Sequence, residues 1–187
     1  PGYDFVSSVL QSNDGDGLDA DPSDPGDAVV AGECGAGEPA EDSSWHGLHL
    51  AGIMIAHTDN NVGVAGLNHA SRLLPVRVLG KCGGSYADII AGILWAAGLP
   101  GSGAPGVNPA PARVINLSFA AQQSCTAGIQ DAIDRAVAAG AVVVTAAGNG
   151  NGGDVAQVLP AGCNNVIAVA ATTRGGDIAS YSNVGSR

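Results

Sequence analysis

No stretch of this chain approaches the ~20 consecutive apolar residues that a membrane-spanning helix needs, so such a helix is excluded within it. A basic, apolar leader is also missing. The sequence opens at Pro1, as expected where a targeting segment has been removed or was not included. Glycine and proline are frequent, 29 and 10 of 187 residues, but they follow no Gly-X-Y period, which excludes collagen. No internal repeat of fixed length is present. No pair of cysteines forms CxxC, which argues against a zinc ribbon or a thioredoxin-type site. No HExxH occurs, and His46 and His49 have no third ligand nearby, which argues against a zinc peptidase. Basic side chains are few. Lys and Arg total 7 against 17 Asp and Glu, a net charge of −10, which suits neither nucleic acid nor an anionic membrane as partner.

What is present fits one folded α/β domain of ordinary size, 1–187. Hydrophobic residues make up 45% and charged residues 13%, so disorder is excluded as the main state. The acid is concentrated. Residues 1–42 hold 11 of the 17 acidic groups and no Lys or Arg, and from residue 12 they read as a loop dense in Asp, Gly and Pro. Residues 43–187 are nearly neutral and read as the α/β core. Cys34, Cys82, Cys125 and Cys163 are widely spaced, as in an exported protein with two disulfides. Three pairings are possible. Cys34–Cys82 with Cys125–Cys163 is favoured, since each cysteine sits in a loop beside a core element. Four buried thiols in a cytosolic protein are the alternative.

The core alternates strands and helices. Residues 73–79 (LLPVRVL), 113–119 (RVINLSF), 141–146 (AVVVTA) and 165–171 (NVIAVAA) are apolar, β-branched runs bounded by turn residues. Such runs predict parallel strands covered on both faces. Tyr86, Ile89, Ile90, Ile93, Leu94 and Ala97 form a helical stripe, with Ser85 and Asp88 placed as a capping box. Ile129, Ala132, Ile133, Ala136 and Val137 form another, stopped by Gly140. A third helix starts near His46 and is expected to turn Leu50, Ile53 and Met54 inward. The order predicts right-handed βαβ units in a three-layer fold, a mostly parallel central sheet with helices on both faces. Ligands then bind beyond the carboxyl ends of the strands, near 119–121 and 148–151.

Two segments carry chemistry. A histidine at the first turn of a helix, as in His46-Gly47-Leu48-His49-Leu50-Ala51-Gly52, is held rigidly and is by type a general base. The bland reading is a core histidine. Ala146-Ala147-Gly148-Asn149-Gly150-Asn151 follows a strand, where the Asn149 amide is placed to stabilise negative charge on a carbonyl oxygen. A dinucleotide loop is the rival, but no long amphipathic helix follows and no acid ends the next strand. A plain turn is the simplest alternative.

In combination the segments are more specific. HGLHLAG, NNVGVAGL, LLPVRVLGKCGGS, VINLSFA, VVVTAAGNGN, PAGCNNVIAVAA and ASYSNVG, in that order, resemble the subtilisin-like serine proteases from about Gly2 to Gly185. PGYDF and the Asp-rich loop make the likeness strongest to the disulfide-bearing secreted bacterial branch. The resemblance implies a serine endopeptidase acting on polypeptides, secreted, and monomeric when complete. It implies His46 as the triad histidine and Asn149 as the oxyanion donor. Gly83, Gly84 and Ser85, within 81–85, would form an edge strand that pairs with substrate backbone. Leu117, Ser118 and Phe119 would form the opposite strand. Together with Ala146, Ala147 and Gly148 they would line the pocket for the residue before the cleaved bond.

The sequence departs from the family pattern in several places. Leu48 and Leu50 replace the Thr and Val of HGTHVAG, and Phe119-Ala120-Ala121 stands where the family has a glycine pair. Added methyls where substrate backbone approaches narrow a cleft. The DTG segment of the catalytic Asp and the GTSMA-type turn of the nucleophile do not occur in these residues. The chain is therefore expected to be the middle of a catalytic domain, incomplete as a subtilisin-like fold and inactive alone. The alternative is an inactive scaffold of this family that binds calcium or peptides. Calcium is the expected cofactor. Asp14, Asp16, Asp19 and Asp21 space hard oxygen ligands among glycines, beginning like an EF-hand loop but without its Glu at the twelfth position. Residues 58–64, with Thr58, Asn60, Val62 and Val64, resemble the family's tight calcium loop.

Overall fold

The computed structural model describes residues 2–104 and 106–186. The chain packs as two compact units, Pro1–Ile89 and Ile90–Arg187.

In the first unit, strands β1 (Tyr3–Asp4) and β2 (Val76–Arg77) pair in parallel, with Asp4 beside Arg77. β2 is shorter than the expected 73–79 run because β1 offers it only a two-residue partner. Phe5 and Val6 are fully buried next to this pair, and the Tyr3 and Phe5 ring centroids lie 4.8 Å apart. Asp4 is also fully buried. Its Oδ1 accepts from the Val6 N–H at 2.6 Å and its Oδ2 from Arg77. The Arg77 guanidinium also donates to Asp14 at 3.0 Å and to the Ser12 carbonyl, at the end of the single-turn helix α1 (Val9–Ser12). The polar interruption of LLPVRVL thus pins the acidic segment to a strand. The Cys34–Cys82 disulfide and a 3.0 Å Lys81–Glu33 ion pair pin it again.

Helix α2 (His46–Ile55) forms where expected, but it fully buries none of its residues. Leu50 and Met54 are half-buried and Ile53 is exposed, so the inward apolar face expected of this helix is corrected. Residues 66–68 cross its last turn, where Leu67 N–H donates to Ile53 O and Asn68 N–H to Met54 O. That crossing meets the C-terminal carbonyls and leaves Ile53 exposed.

Helix α3 (Tyr86–Ala96) starts on Ser85, whose Oγ accepts from the Asp88 N–H at 3.0 Å, as the capping reading required. The Asp88 carboxylate accepts from Ser7, from its N–H at 3.3 Å and its Oγ at 3.2 Å.

In the second unit, β3 (Val114–Leu117), β5 (Val142–Ala146) and β7 (Val166–Val169) form a parallel sheet in the order β3-β5-β7. Strand β4 (Ala121–Gln122) pairs antiparallel with β6 (Val158–Leu159). Between β4 and β5, α4 (Ala127–Ala138) buries Ile129, Ala132, Ile133 and Ala136, packs on β5, and gives way to Gly140 at φ 95°. Cys125 and Cys163 form the second disulfide, so both favoured pairings are present.

The α/β class with parallel strands therefore stands. The cover differs from expectation, because the strands are buried on one face. Ile115, Leu117, Val143 and Thr145 are buried, whereas Val114, Val142, Ile167 and Val169 are exposed on the other face. Among the described residues the Thr145 hydroxyl is buried without a hydrogen-bond partner. Thr145→Val replaces that unmet hydroxyl with a methyl group. It is expected to stabilise the protein by about 1–3 kcal/mol, read as a rise in melting temperature of about 2–4 °C per kcal/mol. A fall in melting temperature would show that the hydroxyl is satisfied.

Candidate active site

His46 is the first residue of α2 and is exposed. The residue before it, Trp45, takes left-handed backbone at φ 48°, a conformation that costs a non-glycine residue about 1 kcal/mol. Neighbouring polar groups hold this turn. The His46 N–H donates to Ser44 Oγ at 3.4 Å. Ser44 in turn donates to Asp27 from its N–H at 2.6 Å and from its Oγ at 2.7 Å. Burial raises the Asp27 carboxyl, but the Ser44 hydrogen bonds and the positive charge of His46 outweigh it and hold the group below the usual carboxylate range. Asp27 had no role in the sequence reading. Its signal was only one more acid in an acid-rich loop.

Residues 81–85, expected as an edge strand, are not one. Gly80 and Gly83 exchange both backbone hydrogen bonds in a tight turn, at 2.9 and 3.2 Å. Gly84 lies against the backbone of Val78 and Leu79, and Ser85 caps α3. The turn is set by Cys82, which stands at φ 61° in the disulfide to Cys34, and by Gly83 at φ 100°.

In the second unit the structure brings together the residues expected around the pocket. Leu117, at the end of β3, pairs with Thr145 of β5, so Ser118 and Phe119 leave the sheet beside Ala146, Ala147 and Gly148. Ala147 and Gly148 are buried, and a Cβ added to Gly148 would meet the Ala120 methyl at 3.4 Å. Asn149 follows at the carboxyl end of β5 and is exposed. The backbone on either side of it is bonded to Asn183, a residue from ASYSNVG with no role in the sequence reading. Nothing in its spacing marks it, because its partners lie more than 30 positions away.

The acidic loop offers the donor chemistry for a divalent cation. Asp16 is pushed up chiefly by the charge of Asp19, then by burial and Asp14, so these carboxylates crowd one another. Other partners already engage several of them. Asp14 is bonded to Arg77, Asp19 Oδ1 accepts from the Asp21 N–H at 2.6 Å, and Asp21 Oδ1 accepts from Ser23 Oγ at 2.6 Å. Among the described residues no three His, Cys, Asp or Glu side chains converge into a metal-binding group. In the second loop Asn60 Oδ1 accepts from the Val62 N–H at 3.0 Å. Val62 and Val64 are exposed, and Thr58 is half-buried.

Comparison with known proteins gives a consistent result. The model of the subtilase family matches residues 18–187. An extracellular protease of Xanthomonas campestris pv. campestris is 52% identical over 99% of this chain and 32% of its own length. An extracellular basic protease of Dichelobacter nodosus is 44% identical over the whole chain and 31% of its own length. The solved structure of a protease from Pseudoalteromonas arctica superposes with a TM-score of 0.95 at 50% identity, covering 99% of this chain and 54% of that one. The chain thus spans about a third of the length of these curated relatives.

Proposed function

The chain belongs to the subtilase family, and from that premise we propose that it is the central part of the catalytic domain of a secreted serine endopeptidase. One observation carries this reading. The family match extends over both His46 and Asn149, the first at an exposed helix start and the second at the exposed end of a parallel strand. His46 would take the proton of a serine hydroxyl as it attacks a peptide carbonyl, then return it to the leaving amine. Asn149 would donate to the oxyanion formed in that attack. The serine and the carboxylate that orients His46 would come from polypeptide outside these residues, so this chain alone is without turnover. Gly83, Gly84, Ser85, Leu117, Ser118 and Phe119 would border the bound peptide, and Ala146, Ala147 and Gly148 would line the pocket. Secretion agrees with both disulfides and with relatives named as extracellular proteases.

The test is Asn149→Ala in the full-length polypeptide. Its kcat on a peptide anilide is expected to fall by about 10²–10³ with little change in KM, a magnitude borrowed from subtilisin itself. An unchanged kcat would remove Asn149 from the reaction.

Calcium belongs to the same proposal. Asp14, Asp16, Asp19 and Asp21 would hold one ion, with Asp14 released from Arg77, and Thr58, Asn60, Val62 and Val64 would hold another. The ion would neutralise crowded carboxylates and fasten loops to the native state. At 100-fold excess over Kd it would stabilise by about 2.7 kcal/mol. Chelation is therefore expected to lower the melting temperature by several degrees, and an unchanged melting curve would remove both loops from the reading.

A further inference from the structure

The Asn149 loop rests on a buried carboxamide. Asn183 is 1% exposed. Its N–H donates to Gly148 O at 2.9 Å, its Nδ2 donates to Ala147 O at 3.0 Å, and its Oδ1 accepts from the Gly150 N–H at 2.8 Å. These bonds fix the backbone immediately before and immediately after Asn149. They also fix which end of the amide is which, since oxygen faces a donor and nitrogen faces an acceptor. The carboxamide occupies space that side chains of the loop would need. A Cβ on Gly148, Gly150 or Gly153 would lie 2.8, 2.5 or 2.9 Å from Asn183 side-chain atoms. The rest of the strip continues the clamp, with Asn151 N–H donating to Tyr181 O at 3.0 Å and Gly152 N–H to Ser182 O at 3.1 Å.

We propose that Asn183 is the positioning residue for Asn149, and that the glycine spacing of the loop exists to seat its carboxamide. The inference rests on the reading of Asn149 as the oxyanion donor. A donor acts through geometry set before the reaction, so the backbone that carries it must not drift, and misplacement by about 1 Å costs on the order of 10²-fold. Asn149 is exposed and sits between glycines, which supply no side-chain packing to hold it. The buried amide supplies the rigidity that the loop itself lacks.

Asn183→Asp in the full-length polypeptide keeps the acceptor for Gly150 but turns an oxygen toward the Ala147 carbonyl. Expressed per titrated active serine, its kcat is expected to fall at least about tenfold with KM within about twofold. In an Asn149→Ala background the same substitution is expected to change kcat by less than about twofold, because there is no donor left to misplace. Gly150→Ala, which pushes on the clamp from the loop side, is expected to behave in the same way and decides the matter if the Asp variant does not fold. A role confined to stability would lower the fraction of titratable enzyme and leave kcat per active serine unchanged, which overturns the proposal. Equal losses of kcat with and without Asn149 overturn it too. If Asn149→Ala itself leaves kcat intact, the reading of Asn149 fails instead.

Discussion

Replacing His46 with alanine in the full-length polypeptide is expected to lower kcat on a peptide anilide by about 10⁶-fold, a magnitude borrowed from subtilisin. A serine hydroxyl is a weak nucleophile at neutral pH and needs a base within hydrogen-bond reach. Without the imidazole the proton has nowhere to go, and only binding and oxyanion stabilisation remain, worth about 10³–10⁴ over water. The substitution is expected to leave the fold intact. His46 is exposed, it begins α2, and the turn before it is held through backbone and Ser44–Asp27 hydrogen bonds that alanine preserves. Melting temperature should therefore stay within a degree or two while turnover collapses. A variant that keeps a tenth of the parent kcat would remove His46 from the reaction, whereas a full-length parent without turnover would favour the inactive scaffold.

Arg77→Met is expected to destabilise the protein by about 3–5 kcal/mol, because it leaves the Asp4 carboxylate buried without its counter-ion. At about 2–4 °C per kcal/mol the melting temperature drops by roughly 10 °C. The same change frees Asp14 and the Ser12 carbonyl, so the acidic segment loosens with it. The loss depends on pH in a defined direction. Burial already raises Asp4 despite the Val6 and Arg77 hydrogen bonds, and removing Arg77 raises it further. Between its unfolded and folded pKa values the native state then holds a proton that the unfolded chain has released. Stability consequently falls as pH rises through that window, and the variant is expected to recover toward the parent as pH is lowered. Urea midpoints of parent and variant at two pH values check this. Adding Asp4→Asn should restore part of the loss at the higher pH. A variant that matches the parent at both pH values would show that Arg77 does not compensate Asp4.

Much of this was legible because it is periodic or local. The stripes at 86–97 and 129–137 became α3 and α4 because residues three and four apart share a helix face. The runs around 114, 142 and 166 became strands of one parallel sheet, since β-branched residues pack well on a pleated surface. Other features failed for lack of a local signal. Leu50, Ile53 and Met54 have the spacing of a buried face, but spacing does not say what covers it. The family resemblance implied an edge strand at 81–85, and around the disulfide-bonded Cys82 the backbone forms a turn between Gly80 and Gly83. Arg77 interrupts an apolar run, and only the fold shows it to be the partner of a buried acid.

The sequence by itself determined the family, the α/β class, the positions of the main helices and strands, and the candidate histidine and asparagine. These follow from short-range pattern and from motifs that keep chemical groups at fixed spacing. Only the tertiary structure decided that Asp27 braces the His46 turn, that Arg77 joins the acidic loop to β1, and that Asn183 seats the Asn149 loop. Each of these is a hydrogen bond between groups far apart in the chain. Such bonds leave no period in the sequence, because their geometry exists only once the backbone has brought both ends together.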